Sequence, residues 1–321
     1  MNHSTFKSFT FGIGLFFTLP LVYGNSSSPS SSDGTLYINK SKTHKVAPVK
    51  YGFHYEEIGM MGEGALHAEL IRNRSFEEAT PPAGLSVKNG LYENVPAPRV
   101  KEKKVFQADP LIGWTTYPLS YTPVFISRTD ENPMSGENKY SMLVNVTEDI
   151  ANHPDALILN RGYYGMNLKT DTSYRLSLFL KNRNYSAPLR VFLVDEWGQR
   201  VSNVIEVNVG NRDWTKYSGE LKPEKNVRRG MFAIQPMSKG QFQMDVVSLF
   251  PSDTWNDGKS VFRKDIVQNL KEFSPSFIRF PGGCIVHGVN EETMYHWKKT
   301  LGPIENRPGQ WSNCLLYTSP S

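Results

Sequence analysis

The chain has 321 residues, of which 39% are hydrophobic and 21% are charged. This composition excludes a disordered or collagen-like chain, and the length suits two domains or one large barrel with an insertion. The 36 basic and 31 acidic residues give a net charge of +5 that is spread along the chain, which argues against a nucleic-acid partner. Two cysteines, Cys284 and Cys314, are too few for a disulfide framework or a cysteine-rich zinc site.

The N-terminus has the pattern of an export signal. Lys7 precedes a largely apolar run at 9–23, and small residues stand at the positions that a signal peptidase recognises. Residues 1–24 therefore predict a cleavable signal peptide; the alternative is a retained anchor, for which the run is short. Residues 25–35 are rich in serine and predict a flexible linker. We expect an exported protein, periplasmic or extracellular, with no membrane anchor after cleavage.

Residues 36–85 predict one β-strand followed by one α-helix. A strand-like stretch at 47–54 precedes residues 64–73, where the three-to-four spacing of Leu66, Glu69 and Leu70 favours a helix.

The same order of elements returns in residues 251–313. The stretch 261–273 has the apolar spacing of an amphipathic helix, with Ser260 available as N-cap and Pro275 as the stop. Residues 277–280 follow as a short, buried strand. Alternation of strands and helices predicts parallel strands that are joined by helical crossovers.

Residues 103–250 form a different kind of sequence. Short runs that alternate in hydrophobicity are separated by turn residues, and no convincing helix interrupts them. Strands are predicted at 174–180, 189–194, 204–209 and 231–234. This pattern favours a β-sandwich. The predicted fold class is thus an α/β (TIM-type) barrel, of which only the first βα units are present, interrupted by an all-β sandwich module.

Several long motifs resemble one known family. Residues 51–59 and 64–77 are similar to the start of glycoside hydrolase family 51, the α-L-arabinofuranosidases. The motifs at 244–251, 275–284 and 297–309 follow in the family's order. The resemblance covers roughly residues 36–80 and 240–311, and the stretch between looks like the carbohydrate-binding-type sandwich that some members insert.

The resemblance implies an activity and a substrate. It implies an exo-acting enzyme that releases terminal arabinose from arabinan or arabinoxylan by a retaining mechanism with two carboxylates. It implies no cofactor and no catalytic metal, in line with the histidines, which show no metal-ligand spacing with carboxylates. The expected partner is an arabinose-containing polysaccharide or oligosaccharide, and an oligomer is possible for a full-length enzyme.

The resemblance places both reacting glutamates on later barrel strands, well past the Arg-Pro-Gly motif at 307–309. We therefore expect the catalytic pair to be absent from this chain and the chain alone to be inactive. Residues 314–321 depart from the family pattern and are expected to be a non-native tail; a natural divergent C-terminus is the alternative.

Four residues are the candidate substrate-binding site. In an α/β barrel the site lies at the C-terminal ends of the strands, and Glu56 ends the first predicted strand. The resemblance implies that Glu56 binds arabinose hydroxyls and that the segment after Arg279, with Gly283 and Cys284, lines the same pocket. The alternatives are a solvated carboxylate for Glu56, a structural ion pair for Arg279 and a small buried hydrophobe for Cys284. Gly283 and its neighbour Gly282 are expected to permit a turn that a side chain would block.

The sandwich has several large aromatic residues that are candidate sugar-stacking platforms. They are Trp114, Tyr117, Tyr163, Tyr164, Trp197 and Trp214. The alternative is that some of these rings form the core and that the module is a spacer at the rim of the active site. The rival function for the whole chain is a non-catalytic, exported carbohydrate-binding protein built around the sandwich.

Overall fold

The computed structural model describes residues 39, 41, 45, 51–57, 59–80, 86–93, 109–288, 291, 293–312 and 317–319. Residues 1–48 form one compact unit, in which only Asn39, Ser41 and Lys45 are described, and residues 49–321 form a second. The predicted signal peptide and serine-rich linker lie outside the described residues. All elements below belong to the second unit.

Seventeen short strands make up most of the regular structure in the described residues. They are β1 (Phe53–His54), β2 (Ser86–Lys88), β3 (Leu91–Glu93), β4 (Trp114–Tyr117), β5 (Val124–Thr129), β6 (Ser141–Val146), β7 (Leu157–Asn160), β8 (Met166–Leu168), β9 (Tyr174–Asn182), β10 (Pro188–Val194), β11 (Ile205–Asn208), β12 (Thr215–Leu221), β13 (Val227–Gln235), β14 (Gly240–Pro251), β15 (Ile278–Arg279), β16 (Gln310–Ser312) and β17 (Tyr317–Ser319).

Helices are few and short. The described residues contain two α-helices, α1 (Lys264–Phe273) and α2 (Cys284–His287). Single helical turns occur as a π-turn at Gly62–Leu66 and as 3₁₀ turns at Ile150–Asn152, Trp297–Thr300 and Ile304–Asn306. None of the helices among the described residues has the length and apolar character needed to cross a membrane.

Two antiparallel sheets form a sandwich, as the alternating runs predict. One sheet has the strand order β11-β10-β13-β7-β4, with β8 also paired to β13, and the other has the order β12-β9-β14-β6-β5. In β9 the buried positions Tyr174, Leu176, Leu178 and Leu180 alternate with more exposed ones, because successive side chains of a strand point to opposite faces. The predicted strands at 174–180, 189–194, 204–209 and 231–234 correspond to β9, β10, β11 and β13.

The sandwich core also includes residues from the preceding segment. Ile71 and Phe76 are fully buried in the same hydrophobic cluster as the sheets, and the Phe76 ring lies 5.6 Å from the Trp114 ring, centroid to centroid. Hydrogen bonds join the backbones, from Leu70 N to Leu249 O at 3.0 Å and from Val247 N to Arg74 O at 2.9 Å. The predicted module limits of 103–250 therefore cut through one continuous core, and as domain limits they stay a prediction.

Outside the sandwich, β1 and β15 are the one parallel pair among the described strands. Phe53 lies opposite Ile278 and His54 opposite Arg279. Helix α1 precedes β15 and ends at Phe273, with Ser274 in the left-handed conformation before Pro275. This is the β-α-β order that the sequence predicts.

Three local predictions are wrong. Residues 64–73 are not an α-helix: after the π-turn the chain is extended, because Ala68 N and Leu70 N bond to Val261 O and Leu249 O rather than to their own segment. Ser260 is not the N-cap of α1, since its hydroxyl accepts from Phe262 N and the cap position falls on Arg263. The strand at Ile278–Arg279 is exposed rather than buried, because β1 is its sole partner strand among the described residues.

Candidate functional site

The structure brings two of the candidate residues, Glu56 and Gly283, together. The β1–β15 pairing continues past the strands, with Tyr55 N donating to Arg279 O and Glu57 N donating to Pro281 O, both at 2.8 Å. This places Glu56 beside the turn that follows β15. Gly283 N donates to Glu56 Oε1 at 3.0 Å, so one carboxylate oxygen is fixed by the backbone.

This contact needs two glycines. Gly282 has a φ of +122°, a conformation that residues with a side chain rarely adopt, and a Cβ there would lie 2.6 Å from Glu56 Cα. A Cβ at Gly283 would lie 2.6 Å from Glu56 Oε1. The glycine pair therefore lets the turn approach the carboxylate closely.

The structure describes the other two candidate residues, Arg279 and Cys284, in less detail. Arg279 is exposed and pairs in register with His54, next to the Glu56 strand end. Among the described residues its guanidinium has no hydrogen bond or ion pair. Cys284 begins α2, and its side chain lies outside the described parts of the chain.

A cavity of about 300 Å³ lies on the opposite side of the same strands. It is lined by sequence neighbours of the candidate residues, namely Tyr55, Glu57, Phe280, Pro281 and Ile285, and not by Glu56, Arg279 or Gly283. The alternation of side chains along a strand explains this division. Glu56 and Arg279 face one side, and the enclosed cavity is on the other.

Burial controls the protonation of this cavity's wall. Burial, together with the nearby positive charges of Arg74 and Arg307, lowers the pKa of His67 to about 3, so the imidazole is neutral at ordinary pH. Burial and the charge of Glu57 raise the pKa of Tyr55 to about 12, and its hydroxyl donates to Met61 O at 2.6 Å. The cavity thus presents neutral ring groups beside buried carboxylates.

Glu69 also lines the cavity, but its oxygens serve the fold. Oε1 accepts from Ile71 N at 3.0 Å and from Leu249 N at 2.8 Å, and Oε2 accepts from Ser248 Oγ at 2.6 Å. Arg74 Nη1 lies 3.9 Å from Oε2. Since these contacts use both oxygens, Glu69 ties the early segment to β14 and is unsuited to attack a substrate.

Sequence reasoning missed Tyr55, His67 and Tyr163 as cavity residues. Alternation along β1 was a usable signal for Tyr55, because it flanks Glu56. His67 and Tyr163 meet at the cavity only through the contact of the early segment with the sandwich. Within the described part of the chain, no three His, Cys, Asp or Glu side chains are grouped to hold a metal ion.

The six predicted aromatic platforms divide into four groups, of which Tyr163, a wall residue of the cavity described above, forms one by itself. Trp114 is a core residue, 6% exposed, with its indole N–H on Asn73 O, so its prediction as a platform is wrong. Tyr117 packs on a small apolar cluster, and the indole N–H of Trp214 donates to Asn132 O. Tyr164 and Trp197 are 84% and 73% exposed. Those two rings remain candidates.

Comparisons with known proteins agree on one family. A profile of the alpha-L-arabinofuranosidase 1 domain matches residues 269–319. Alpha-L-arabinofuranosidase 1 of Arabidopsis thaliana is 28% identical over 83% of this chain and 36% of its own length. The extracellular exo-alpha-L-arabinofuranosidase of Streptomyces chartreusis is 27% identical over 80% of this chain and 28% of its own length.

A solved structure shares the fold. The arabinose-bound MgGH51 α-L-arabinofuranosidase superposes with a TM-score of 0.69 at 23% identity, over 88% of this chain and 42% of that one. The chain is thus similar to α-L-arabinofuranosidases over most of its length, and the predicted resemblance to glycoside hydrolase family 51 is confirmed. It spans well under half the length of these relatives.

Proposed function

We propose that this protein is part of an exported, exo-acting α-L-arabinofuranosidase and that the face around Glu56 binds the terminal arabinose. The observation that carries the proposal is the fixed carboxylate. Gly283 N holds Glu56 Oε1, while Oε2 has no hydrogen-bond partner among the described residues. A carboxylate that is oriented in this way has an oxygen free to accept sugar hydroxyls.

The names of the relatives support the reaction class. They are called α-L-arabinofuranosidases, and one of them is called extracellular and exo-acting. We propose the retaining reaction. One carboxylate attacks the anomeric carbon while a carboxylic acid protonates the departing oxygen, and water then hydrolyses the glycosyl-enzyme. The substrates would be arabinose side chains of arabinan or arabinoxylan.

We propose further that the two reacting glutamates belong to the part of the relatives that this chain does not span. Two of the described carboxylates near the site have contacts that suit other roles. Glu69 is bound by the fold, and Glu56 is held by a backbone amide in the position of a binding group. The chain alone should then bind a terminal arabinose but leave the glycosidic bond intact.

The decisive assay follows hydrolysis of an aryl α-L-arabinofuranoside by two purified proteins. One is the 321-residue chain, and the other is a chain extended to the length of the relatives from the genomic sequence. We expect activity from the longer protein alone, with retained anomeric configuration by proton NMR. Turnover by the 321-residue chain well above a buffer blank would place the catalytic pair within it. Inactivity of both proteins, with binding of arabinosides, would favour the rival carbohydrate-binding protein.

In the longer protein, Glu56→Gln should lower kcat/KM by about 10²-fold or more, because a substrate misplaced by roughly an ångström loses that much. Glu137→Gln, which alters an exposed carboxylate on the sandwich, is the matched control and should leave kcat/KM unchanged. A Glu56→Gln enzyme within threefold of the parent would show that Glu56 is a solvated surface group.

A further inference from the structure

A second cavity, of about 930 Å³, lies at one end of the five-stranded sheet. Its wall is formed by the end of β6 and by the two loops that join β9 to β10 and β13 to β14. No residue of β1, β15 or α1 lines it, so it is separate from the Glu56 face. Its volume is at the upper end of the range for pockets that bind small ligands.

The polar wall of this cavity is rigidly held. Gly240 has a φ of +134°, and a Cβ there would lie 2.8 Å from Asn184 O and 2.9 Å from Tyr185 Cα, so the two loops are in close contact. Asn184 Oδ1 accepts from Gln241 N at 2.6 Å. Tyr185 is buried beneath the loop, and its hydroxyl accepts from Met237 N.

Two side-chain amides of this wall each have one hydrogen-bonding atom without a partner among the described residues. Gln241 Nε2 donates to Asn145 Oδ1 at 3.3 Å. Within the described residues, Asn145 Nδ2 and Gln241 Oε1 have no protein partner. If both amides were turned over, the pair would still leave one donor and one acceptor available. A donor and an acceptor side by side suit a hydroxyl group, which both donates and accepts.

An exposed ring stands next to the amides. Phe125 lies opposite Asn145 in the β5–β6 register, so both side chains are on the same face of the sheet, and the ring is 55% exposed. An aromatic face packs on the apolar C–H groups of a sugar ring. Glu148, Asp149 and Lys239 are the charged residues of the wall, and their sum is slightly negative, which disfavours anionic ligands.

We propose that this cavity binds a neutral polysaccharide chain, with Asn145 and Gln241 engaging sugar hydroxyls. Phe125 lies outside the cavity's lining, opposite Asn145 on the neighbouring strand, where its ring can pack on the next sugar along the chain. The site holds the polymer through the sandwich and takes no part in hydrolysis. It differs from the platforms that the sequence predicts, because none of those six aromatic residues lines it.

The test is affinity electrophoresis of the 321-residue chain in native gels that contain soluble arabinose-free xylan, β-glucan or mannan. Gels with arabinose-free xylan report on this cavity without involving a terminal arabinose, so failure of the arabinoside proposal does not alter their result. We expect retardation by at least one neutral polymer and none by dextran sulfate beyond a polymer-free gel. Absence of retardation by every neutral polymer would overturn the proposal.

The residues are tested with the Asn145→Ala/Gln241→Ala double variant, which should weaken binding about tenfold or more. Asn145→Asp keeps the side-chain shape while removing the donor, so it should also weaken binding without affecting folding. Gln199→Ala removes an exposed amide elsewhere on the sandwich and is the matched control. Unchanged thermal unfolding verifies each variant. Parental affinity in folded Asn145→Asp would show that any glycan binds elsewhere.

Discussion

Asp245 and Glu69 are both buried carboxylates, but their surroundings differ. Glu69 accepts three hydrogen bonds and lies near Arg74. Asp245 is fully buried at a bulge of β14 and accepts from Val246 N at 2.7 Å and from Asn138 Nδ2 at 3.2 Å. Burial, reinforced by the charge of Glu77, raises the pKa of Asp245 well above its usual range. The folded state therefore binds the Asp245 proton more tightly than the unfolded chain does.

Asp245→Asn should therefore stabilise the protein, and increasingly so at higher pH. A raised folded-state pKa means that the parent's stability is fully present below the unfolded pKa and is lost as pH rises toward the folded pKa. The asparagine variant has no such loss. We expect the difference in Tm to be near zero at about pH 4 and to reach about 2–4 °C by pH 8, the shift for roughly 1 kcal/mol.

Differential scanning calorimetry between pH 4 and pH 8 measures this difference. Glu137→Gln, which neutralises an exposed carboxylate, is the control and should give no pH-dependent gain. A lower Tm for Asp245→Asn at every pH would show that Asp245 is charged and stabilising in the folded protein.

Gly282→Ala tests the close approach at the Glu56 turn. The strained φ alone should cost roughly 1–3 kcal/mol, and the added Cβ collides with Glu56. Gly210→Ala is the matched control, because Gly210 has open space around its Cβ position and no left-handed φ. Urea unfolding compares the two. Equal midpoints for the two variants would contradict the tight turn.

Among the elements, the sequence predicts those whose pattern reflects burial on one face. Strands β9, β10, β11 and β13 follow from alternation, and α1 follows from its apolar spacing and from Pro275. The segment at 64–73 defeats the same method, because its helical spacing is outweighed by backbone bonds to residues about 180 positions away. At the site, Glu56 and the glycines were predictable from the motif. The amide pair on the sandwich was not, since cross-strand register is invisible in sequence.

The core that the sandwich shares with the early segment predicts which part of the chain can fold by itself. A polypeptide of residues 68–251 should unfold cooperatively with a β-type circular dichroism spectrum. A polypeptide of residues 103–250 should be less stable, because it lacks the buried Ile71 and Phe76.

Phe76→Ala in the longer segment should cost about 3–5 kcal/mol of unfolding free energy, as for other buried aromatic residues. Phe125→Ala, at an exposed ring, is the control and should cost under about 1 kcal/mol. Equal stability of the two segments would show that the early segment is dispensable.

At the scale of the molecule, one group of exposed apolar side chains among the described residues lies around β15 and the end of α1. Phe273, Phe277, Ile278 and Phe280 are each more than half exposed. They are close together in sequence and lie beside the two-stranded β1–β15 sheet, which has open edges among the described residues. A large exposed apolar patch with unpaired strand edges favours self-association.

The double variant Phe273→Gln/Ile278→Thr should slow the growth of light scattering on concentration of the 321-residue chain, by about half or more. Leu119→Gln is the matched control, since Leu119 is 77% exposed but lies on the sandwich. If light scattering slowed equally in both variants, or in neither, the surface that drives self-association would lie elsewhere.

The hydrogen bond between Ser248 and Glu69 also affects how the protein folds during its synthesis. The two residues are 179 positions apart, so the segment that carries Glu69 leaves the ribosome long before its partner strand exists. At about 5–20 residues per second, that interval is roughly 10–35 s. During it the core that buries Ile71 and Phe76 is incomplete, because it still lacks the residues of β14. The nascent chain must therefore avoid premature association of this segment until β14 leaves the ribosome and pairs with it.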